Sequence, residues 1–516
     1  MGSALSDPVG ETHTDSARRV YEDLSILLTE AWRREEAQRG RIEAAAPTRV
    51  QSARNLVHYL SMREHDLRPL QKRLASLGLS SLGRAEPCVE WAISAVRYAA
   101  ARLAEPPIQA ERARAGALPF EVGRSLLDRQ TDALLGPRPR ERTVRIMVTM
   151  PTEAATDTSF VRGCVELGMN VMRINTAHDG PDEWLAMIEN LRAARRATGR
   201  DCRVFADLSG PKLRTTSIVK NGQRREAVRL HAGDALLLHS RPELEGESED
   251  PERMLPMPAV GCSHAEVLAS LREGHQVWFD DGKIGTEVAS LGERGATLRV
   301  QFTKPGGQKL RLEKGLNLPD TQINLPALSE EDRGAMRVLA PHVDGFALSF
   351  VRTGKDASDL RAALAEISDR PIAHVLKIET REGFHNLPSL LFELMRTPVG
   401  GVMIARGDLA IECGFERMAE IQEEILWLCE AAHTPVIWAT EVLASLAKQG
   451  RPTRAEITDA AMAQRAECVM LNKGPEILSA VRTLSDILTR MEPHQRKKMS
   501  MFRPLHVAMA PVQGVG

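Results

Sequence analysis

The sequence predicts an α/β protein: a (β/α)8 TIM barrel with a small β-barrel domain inserted after its third strand, preceded by an all-helical region. Three observations carry this. Eight short apolar runs alternate with helix-length amphipathic segments between Arg145 and Met491, and eight parallel strands are the number that closes such a barrel. Polar residues stand at or just past the C-terminal end of nearly every run, where barrel enzymes carry their active sites, whereas an open doubly wound sheet gathers them at one switch point. Between Leu208 and Gly345 lie roughly 135 residues of β-rich sequence, against the roughly two to six of a usual βα loop.

The chain has 516 residues, more than one average domain. At 43% hydrophobic and 27% charged residues it has an ordinary globular composition. A net charge of −1 gives no global pull toward nucleic acid or anionic membranes. No apolar run approaches the roughly 20 residues that a membrane span needs. The opening MGSALSDPVGETHTD lacks the basic and apolar regions of a secretory signal, although MGSALS matches the short myristoylation pattern at Gly2 and Ser6. Seven dispersed cysteines, without metal-like spacing, read as free thiols in a reducing cytoplasm.

In chain order, residues 1–14 are expected to form a disordered leader and 15–140 a helical region. In RNLVHYLSMREHDLRPLQKRLASLGL, Leu56, Tyr59, Leu60, Leu67, Leu70, Leu74 and Leu77 recur largely at three- and four-residue steps. Pro69 belongs in the first turn of a new helix, and Gly78 and Gly83 read as helix stops. His58 and His65 read as solvated face residues and cappers. The barrel is expected over 141–215 and 316–491, its runs being Arg145–Met150, Asn170–Asn175, Arg203–Leu208, Gly345–Phe350, Ile372–Ile378, Gly401–Ala405, Pro435–Thr440 and Glu467–Leu471. The insertion, 216–315, alternates apolar and polar residues between HAGD, DDGK and KPGGQ turns. Hung on the catalytic face, it is placed to be a lid. Residues 492–516 read as a solvated tail, its QRKK run included.

The densest chemistry lies in PIAHVLKIETREGFHNL and PVGGVMIARGDL. Two apolar runs there end in charge: Lys377 with Glu379, and Arg406 with Asp408. The βαβ rules set such strands side by side, roughly 5 Å apart, with their C-terminal ends on one rim. Two carboxylates make a foothold for Mg²⁺, and a lysine beside it suits a phosphorylated or enolate-forming substrate. Strand-end salt bridges are the alternative reading of the same four groups.

The motifs GMNVMRINTAHDG, DLSGPKLRT, VWFDDGKI, NLPALSEED, ALSFVR, KIETREG, MIARGDLAIE, WATEVLASL, RPTRAEITDAA and VMLNKGP follow one another along the chain. Over residues 144–490 this resembles the pyruvate kinase family. The resemblance implies transfer of the phosphoryl group of phosphoenolpyruvate to ADP, giving pyruvate and ATP. It implies Mg²⁺ (or Mn²⁺) on Glu379 and Asp408, with Lys377 facing the transferring phosphoryl group and the developing enolate. Arg173 and Arg214 match phosphate-binding arginines, whose guanidinium forks suit phosphate oxygens. Thr440 matches the threonine associated with protonation of the enolate carbon. Ala405, Arg406, Gly407 and Asp408 match the segment offering backbone N–H groups to the substrate carboxylate. Asn175 and His178, with Arg214, match positions near the nucleotide. Asn175, Asp207 and Leu208 match what remains of a monovalent-ion site. A cytoplasmic homo-oligomer, with no nucleic-acid or membrane partner, is expected.

Departures from the family pattern carry their own expectations. VTMPTEAA is one residue shorter than the usual turn after the first strand, and Ala177 replaces the serine that ligates K⁺. Lys212 stands where the family usually has glutamate; its tethered ammonium is expected to substitute for K⁺, which is then not required. Glu441 replaces a glutamine, and Asn472-Lys473-Gly474-Pro475 replaces Ser-Gly-Glu-Thr. Lys473 reaches the substrate phosphate or pairs with Glu441. The family's C-terminal effector domain has no counterpart, so regulation is expected to run through residues 15–135. Two alternatives keep the barrel but change its role: pyruvate or enolate aldolase-type chemistry, or a non-catalytic protein that binds ligand and partner.

Overall fold

The computed structural model describes residues 12–245, 255–323, 325–497 and 499–501. The expected leader up to residue 11 with Gly2 and Ser6, most of the acidic loop near 243–252, and the tail past 501 lie outside the described residues.

The barrel strands are β1 (Arg145–Thr149), β2 (Val171–Asn175), β3 (Arg203–Asp207), β4 (Gly345–Leu348), β5 (Ala373–Ile378), β6 (Gly400–Ala405), β7 (Val436–Ala439) and β8 (Cys468–Leu471). They close in sequence order, all parallel, with β1 beside both β2 and β8. Each expected run holds its strand to within two residues. Side chains that alternate inward, Met147, Val171, Phe205, Ala347, Val375, Met403, Ile437 and Met470, fill the interior. The same period of two carries the pattern upward to Arg173, Asp207, Ser349, Lys377 and Glu379 at the C-terminal rim.

The region before β1 is a helical layer that closes the barrel's other end. Its main helices are α1 (His13–Ala37), α2 (Val50–Met62), α3 (Val89–Leu103) and α4 (Phe120–Leu135). Thr12 caps α1, its hydroxyl accepting the Asp15 N–H at 3.2 Å. The break at Pro69 is as expected, with a new helix over Arg68–Ser76. Gly78, at φ +69°, follows that helix, but no helix ends at Gly83, which lies in a turn. Leu134 and Leu135 of α4 enter the interior cluster from below. Gly401 makes room for this plug, since a Cβ there would stand 2.5 Å from Leu134 Cδ2.

Hydrogen bonds pin the layer to the barrel. Asn55 donates to the carbonyls of Ala431 at 2.8 Å and Glu86 at 2.6 Å. Arg49, 1% exposed, donates to Thr434 Oγ1 at 2.7 Å. His433 Nε2 donates to the Pro87 carbonyl at 2.9 Å, and its Nδ1 lies 3.0 Å from Ser52 Oγ. His58 is not the solvated residue expected. It is buried and donates to Glu35 at 2.9 Å, because α1 and α3 bring Glu35 and Glu90 to its face of α2. Arg114 clamps both acids, meeting Glu35 and, at 2.6 Å, Glu90.

The insertion builds a mixed eight-stranded sheet and a two-stranded ribbon, from Thr215–Lys220 to Leu316–Asn317. It has its own apolar core, including Leu236, Phe279, Val288 and Leu298. The QRKK run is docked rather than solvated. Arg496 pairs with Asp128 of α4 at 2.6 Å and Lys497 with Glu467 at 2.5 Å, so these two cations meet acids of the barrel floor.

Candidate active site

Asp207, ending β3 and 1% exposed, is the hub of the C-terminal rim. Arg173 donates to its Oδ2 through Nε at 2.7 Å and again through Nη2. Lys377 donates to its Oδ1 at 3.0 Å. The arginine is steadied by a further bond from Nη1 to Thr149 Oγ1 at 2.8 Å. Lys377 also donates to Ser349 Oγ at 2.7 Å, and Ser349 in turn donates to the Leu208 carbonyl at 2.6 Å. Burial opposes the Asp207 charge, yet Arg173 and Lys377 outweigh it and hold the carboxyl below its ordinary value. Burial likewise opposes the Lys377 ammonium, but Asp207 and Glu379 keep it raised and charged.

Glu379 stands beside this pair, with Oε1 at 3.0 Å from Lys377 Nζ. Its Oε2 accepts the Phe350 N–H at 2.7 Å, from a residue at φ +53°. Burial raises the Glu379 carboxyl; Lys377 opposes that, and Asp408 and Asp207 add to it. Asp408 comes from the first turn of the helix Arg406–Cys413 that follows β6. Two neighbouring carboxylates are a donor set suited to a divalent cation. Lys212 Nζ reaches Asp408 at 3.3 and 3.4 Å, and Asn317 Nδ2 reaches it at 3.2 Å. Lys212 is thus brought to Asp408, over the Phe350 ring at 5.9 Å.

Across the rim, Thr440 accepts the Gly407 N–H at 2.7 Å through its hydroxyl. That bond ties the Gly407 backbone to the end of β7. Arg406 turns its guanidinium away, onto Asp459, the carbonyls of Ala439 and Thr440, and the Trp438 ring at 4.9 Å. Thr440, Glu441 and Leu443 have φ of +64°, +58° and +48°. Such left-handed non-glycine residues cost of order 1–3 kcal/mol each and gather at functional sites.

On the β2 side, Asn175 Oδ1 accepts the Ala177 N–H at 3.2 Å. Burial, Lys473, Arg214 and Arg173 together lower the His178 imidazole, Asp179 opposing them, so these cations share one stretch of rim. Among the described residues no ion pair joins Lys473 to Glu441. Arg214 lies at the base of the inserted domain and donates to the Glu313 carbonyl at 3.1 Å.

Residues 141–475 match the family profile described as "Pyruvate kinase, barrel domain". The chain belongs to the pyruvate kinase family. It is 31% identical over 360 residues to a pyruvate kinase of Bacillus licheniformis, covering 68% of this chain and 58% of that one. A Geobacillus stearothermophilus pyruvate kinase is 31% identical over 359 residues, 68% of this chain and 57% of its own. Pyruvate kinase 1 of Trypanosoma brucei brucei is 30% identical over 344 residues, 66% and 64%. The chain thus spans about three fifths of the length of the curated relatives it matches.

Within this pyruvate kinase barrel, Thr149, Glu412 and Asn317 escaped the reading of the sequence, and Ser349 stood in it only as one of the polar strand ends. Thr149 and Ser349 steady Arg173 and Lys377. Strand ends in polar residues were the available signal for both. Glu412 lies one helical turn past Asp408, an i,i+4 spacing that sets both on one face. Burial pushes Glu412 up to about 7, Asn317's amide opposing and Asp408 adding to the rise. Asn317 carried no signal, since its partners lie some 90 residues further along the chain.

Proposed function

We propose that this member of the pyruvate kinase family transfers the phosphoryl group of phosphoenolpyruvate to ADP, yielding pyruvate and ATP. The observation that carries the reading is the Lys377 ammonium, buried and kept charged between Asp207 and Glu379 with Arg173 alongside. Phosphoryl transfer needs alignment and neutralisation of spread charge more than covalent help from the protein. Lys377 supplies a fixed cation where charge develops on the phosphoryl oxygens and the enolate. Arg173 is held by Asp207 and Thr149 in an orientation suited to phosphate oxygens. Asp207 keeps both cations in register, although its own charge is spent on them. Arg214, from the inserted domain, and His178 and Asn175, beside it, suit the nucleotide. Thr440 accepts from Gly407, and among the described residues no acceptor takes its hydroxyl hydrogen. That hydrogen is free to donate, directly or through water, toward the enolate carbon.

Glu379 and Asp408 would hold Mg²⁺ (or Mn²⁺), which when bound neutralises phosphate charge and orients the transferring group. Lys212 already brings a positive charge to Asp408, so activity is expected without K⁺. The test mixes purified protein with phosphoenolpyruvate, ADP and Mg²⁺, with and without K⁺, beside Lys377→Ala. Pyruvate and ATP formed by the parent, and not by the variant, support the reading; absence of turnover by the parent sinks it. Strong activation on replacing Na⁺ by K⁺ sinks the role given to Lys212.

A further inference from the structure

The two segments that join the inserted domain to the barrel both reach Asp408. On the outgoing side, Lys212 donates to its two oxygens at 3.3 and 3.4 Å and lies 3.9 Å from Asp281 of the insertion. On the returning side, Asn317, 4% exposed, donates to Asp408 Oδ1 at 3.2 Å and to Glu412 Oε1 at 3.4 Å. Gly315 lets the lysine pass, since a Cβ there would stand 2.8 Å from Lys212 Cε. Gly282, in the turn between strands Gln276–Phe279 and Ile284–Gly292, rests on Ile411; a Cβ there would be 3.2 Å from Ile411 Cγ1. Residues 408, 411 and 412 of one short helix are therefore all gripped by the insertion or its hinges. Leu316–Asn317 also pairs with Gln276–Phe279, so the sheet cannot shift without moving the Asn317 backbone.

The orientation of the amide is informative. Toward Asp408 and Glu412 the carboxamide presents its NH₂ side. Its oxygen is then left buried without a hydrogen-bond partner among the described residues. The amide is committed to the two acids at the expense of its own satisfaction.

We propose that Asn317 is a positioning residue that couples the posture of the inserted domain to cation binding at Asp408. The inference rests on the reading of Glu379 and Asp408 as metal ligands. A divalent cation on Asp408 repels the Lys212 ammonium, whereas the neutral amide can keep its bond. Cation binding thus loosens the outgoing hinge and leaves the returning hinge as the tether. By linkage, any change that frees the tether alters cation affinity by the same factor as the cation alters the tether.

The test uses the full chain and Mn²⁺ alone. Free Mn²⁺ is followed by electron paramagnetic resonance, and amide hydrogen exchange is followed over residues 276–279 and 316–317. In the parent, Mn²⁺ binds and slows exchange in those strands. In Asn317→Ala, affinity is expected to fall about tenfold and the exchange response to vanish, with metal-free thermal melting close to that of the parent. Asn317→Leu, which keeps the branched shape without the donor, takes its place if the alanine variant gives no cooperative melt. A variant that keeps the parent's affinity, or keeps the exchange response, overturns the coupling. A parent that fails to bind Mn²⁺ overturns the metal reading itself, and with it the coupling. The two failures are told apart because one appears only in the variant.

Discussion

Lys377 and Asp207 are each held in a charged state by the other and by their neighbours, not by water. Replacing Lys377 with Met removes the cation at the reacting centre. Turnover in a coupled pyruvate assay is expected to fall by about 10²–10³, the scale seen when one preorganised electrostatic donor is lost. Asp207→Ala acts differently. It leaves Arg173 and Lys377 side by side, buried, with Glu379 as the one remaining acid on the lysine. Removing one partner of a buried ion pair costs roughly 3–5 kcal/mol. The variant should therefore lose stability, measured by denaturant titration, as well as activity, while Lys377→Met should lose mainly activity. Lys377 and Glu379 were legible because an apolar run ending in charge is a local pattern. The hub role of Asp207 was not, because its partners come from β2, β5 and the end of β4, which lie far apart in the chain and meet only in the folded barrel.

At the scale of elements, the same distinction recurs. All eight barrel strands could be read from the chain, since a strand buried on both faces is a continuous apolar run. In the helical layer, residues 54–79 were readable from their three- and four-residue steps, but the layer's buried polar residues were not. His58 and Arg49 look like surface residues in sequence, yet Glu35 and Glu90 face the buried imidazole and Thr434 accepts from one nitrogen of the buried guanidinium. The docking of the QRKK run was missed for the same reason, its acids lying on α4 and before β8. The plug gives the clearest prediction here. Leu134 is 1% exposed within the barrel interior, so Leu134→Ala should cost about 2–5 kcal/mol and lower the denaturation midpoint. Gly401→Val should destabilise as well, because any side chain at 401 meets Leu134. Neither substitution lies at the C-terminal rim, so what remains folded should match the parent in any binding of phosphoenolpyruvate that the parent shows.

At the scale of the whole molecule, two buried histidines make stability depend on acidity. Burial lowers His433 to about 4, with the Pro87 carbonyl opposing and Arg49 adding to the fall. Burial lowers His374 to about 4 as well, with Arg361 adding to it. Both are neutral in the folded chain, where each would titrate near 6.5 once unfolded. The unfolded state therefore binds more protons between pH 6.5 and about 4. Their contribution is fully present above pH 6.5 and is lost as pH falls through that window, by roughly 3 kcal/mol for each residue. Denaturant titrations at pH 7.5 and pH 5 should show the loss. His433→Gln, which keeps a donor for the Pro87 carbonyl, should flatten the dependence. An unchanged slope in that variant would show that His433 does not carry it.

The plug at the barrel floor also bears on how the chain is made. Leu134 and Leu135 leave the ribosome before every strand that encloses them, and the last of those strands, β8, ends roughly 340 residues later. At synthesis rates of about 5–20 residues per second, α4 waits on the order of 20–70 s with its apolar end uncovered. Slow translation should lengthen that exposure rather than relieve it.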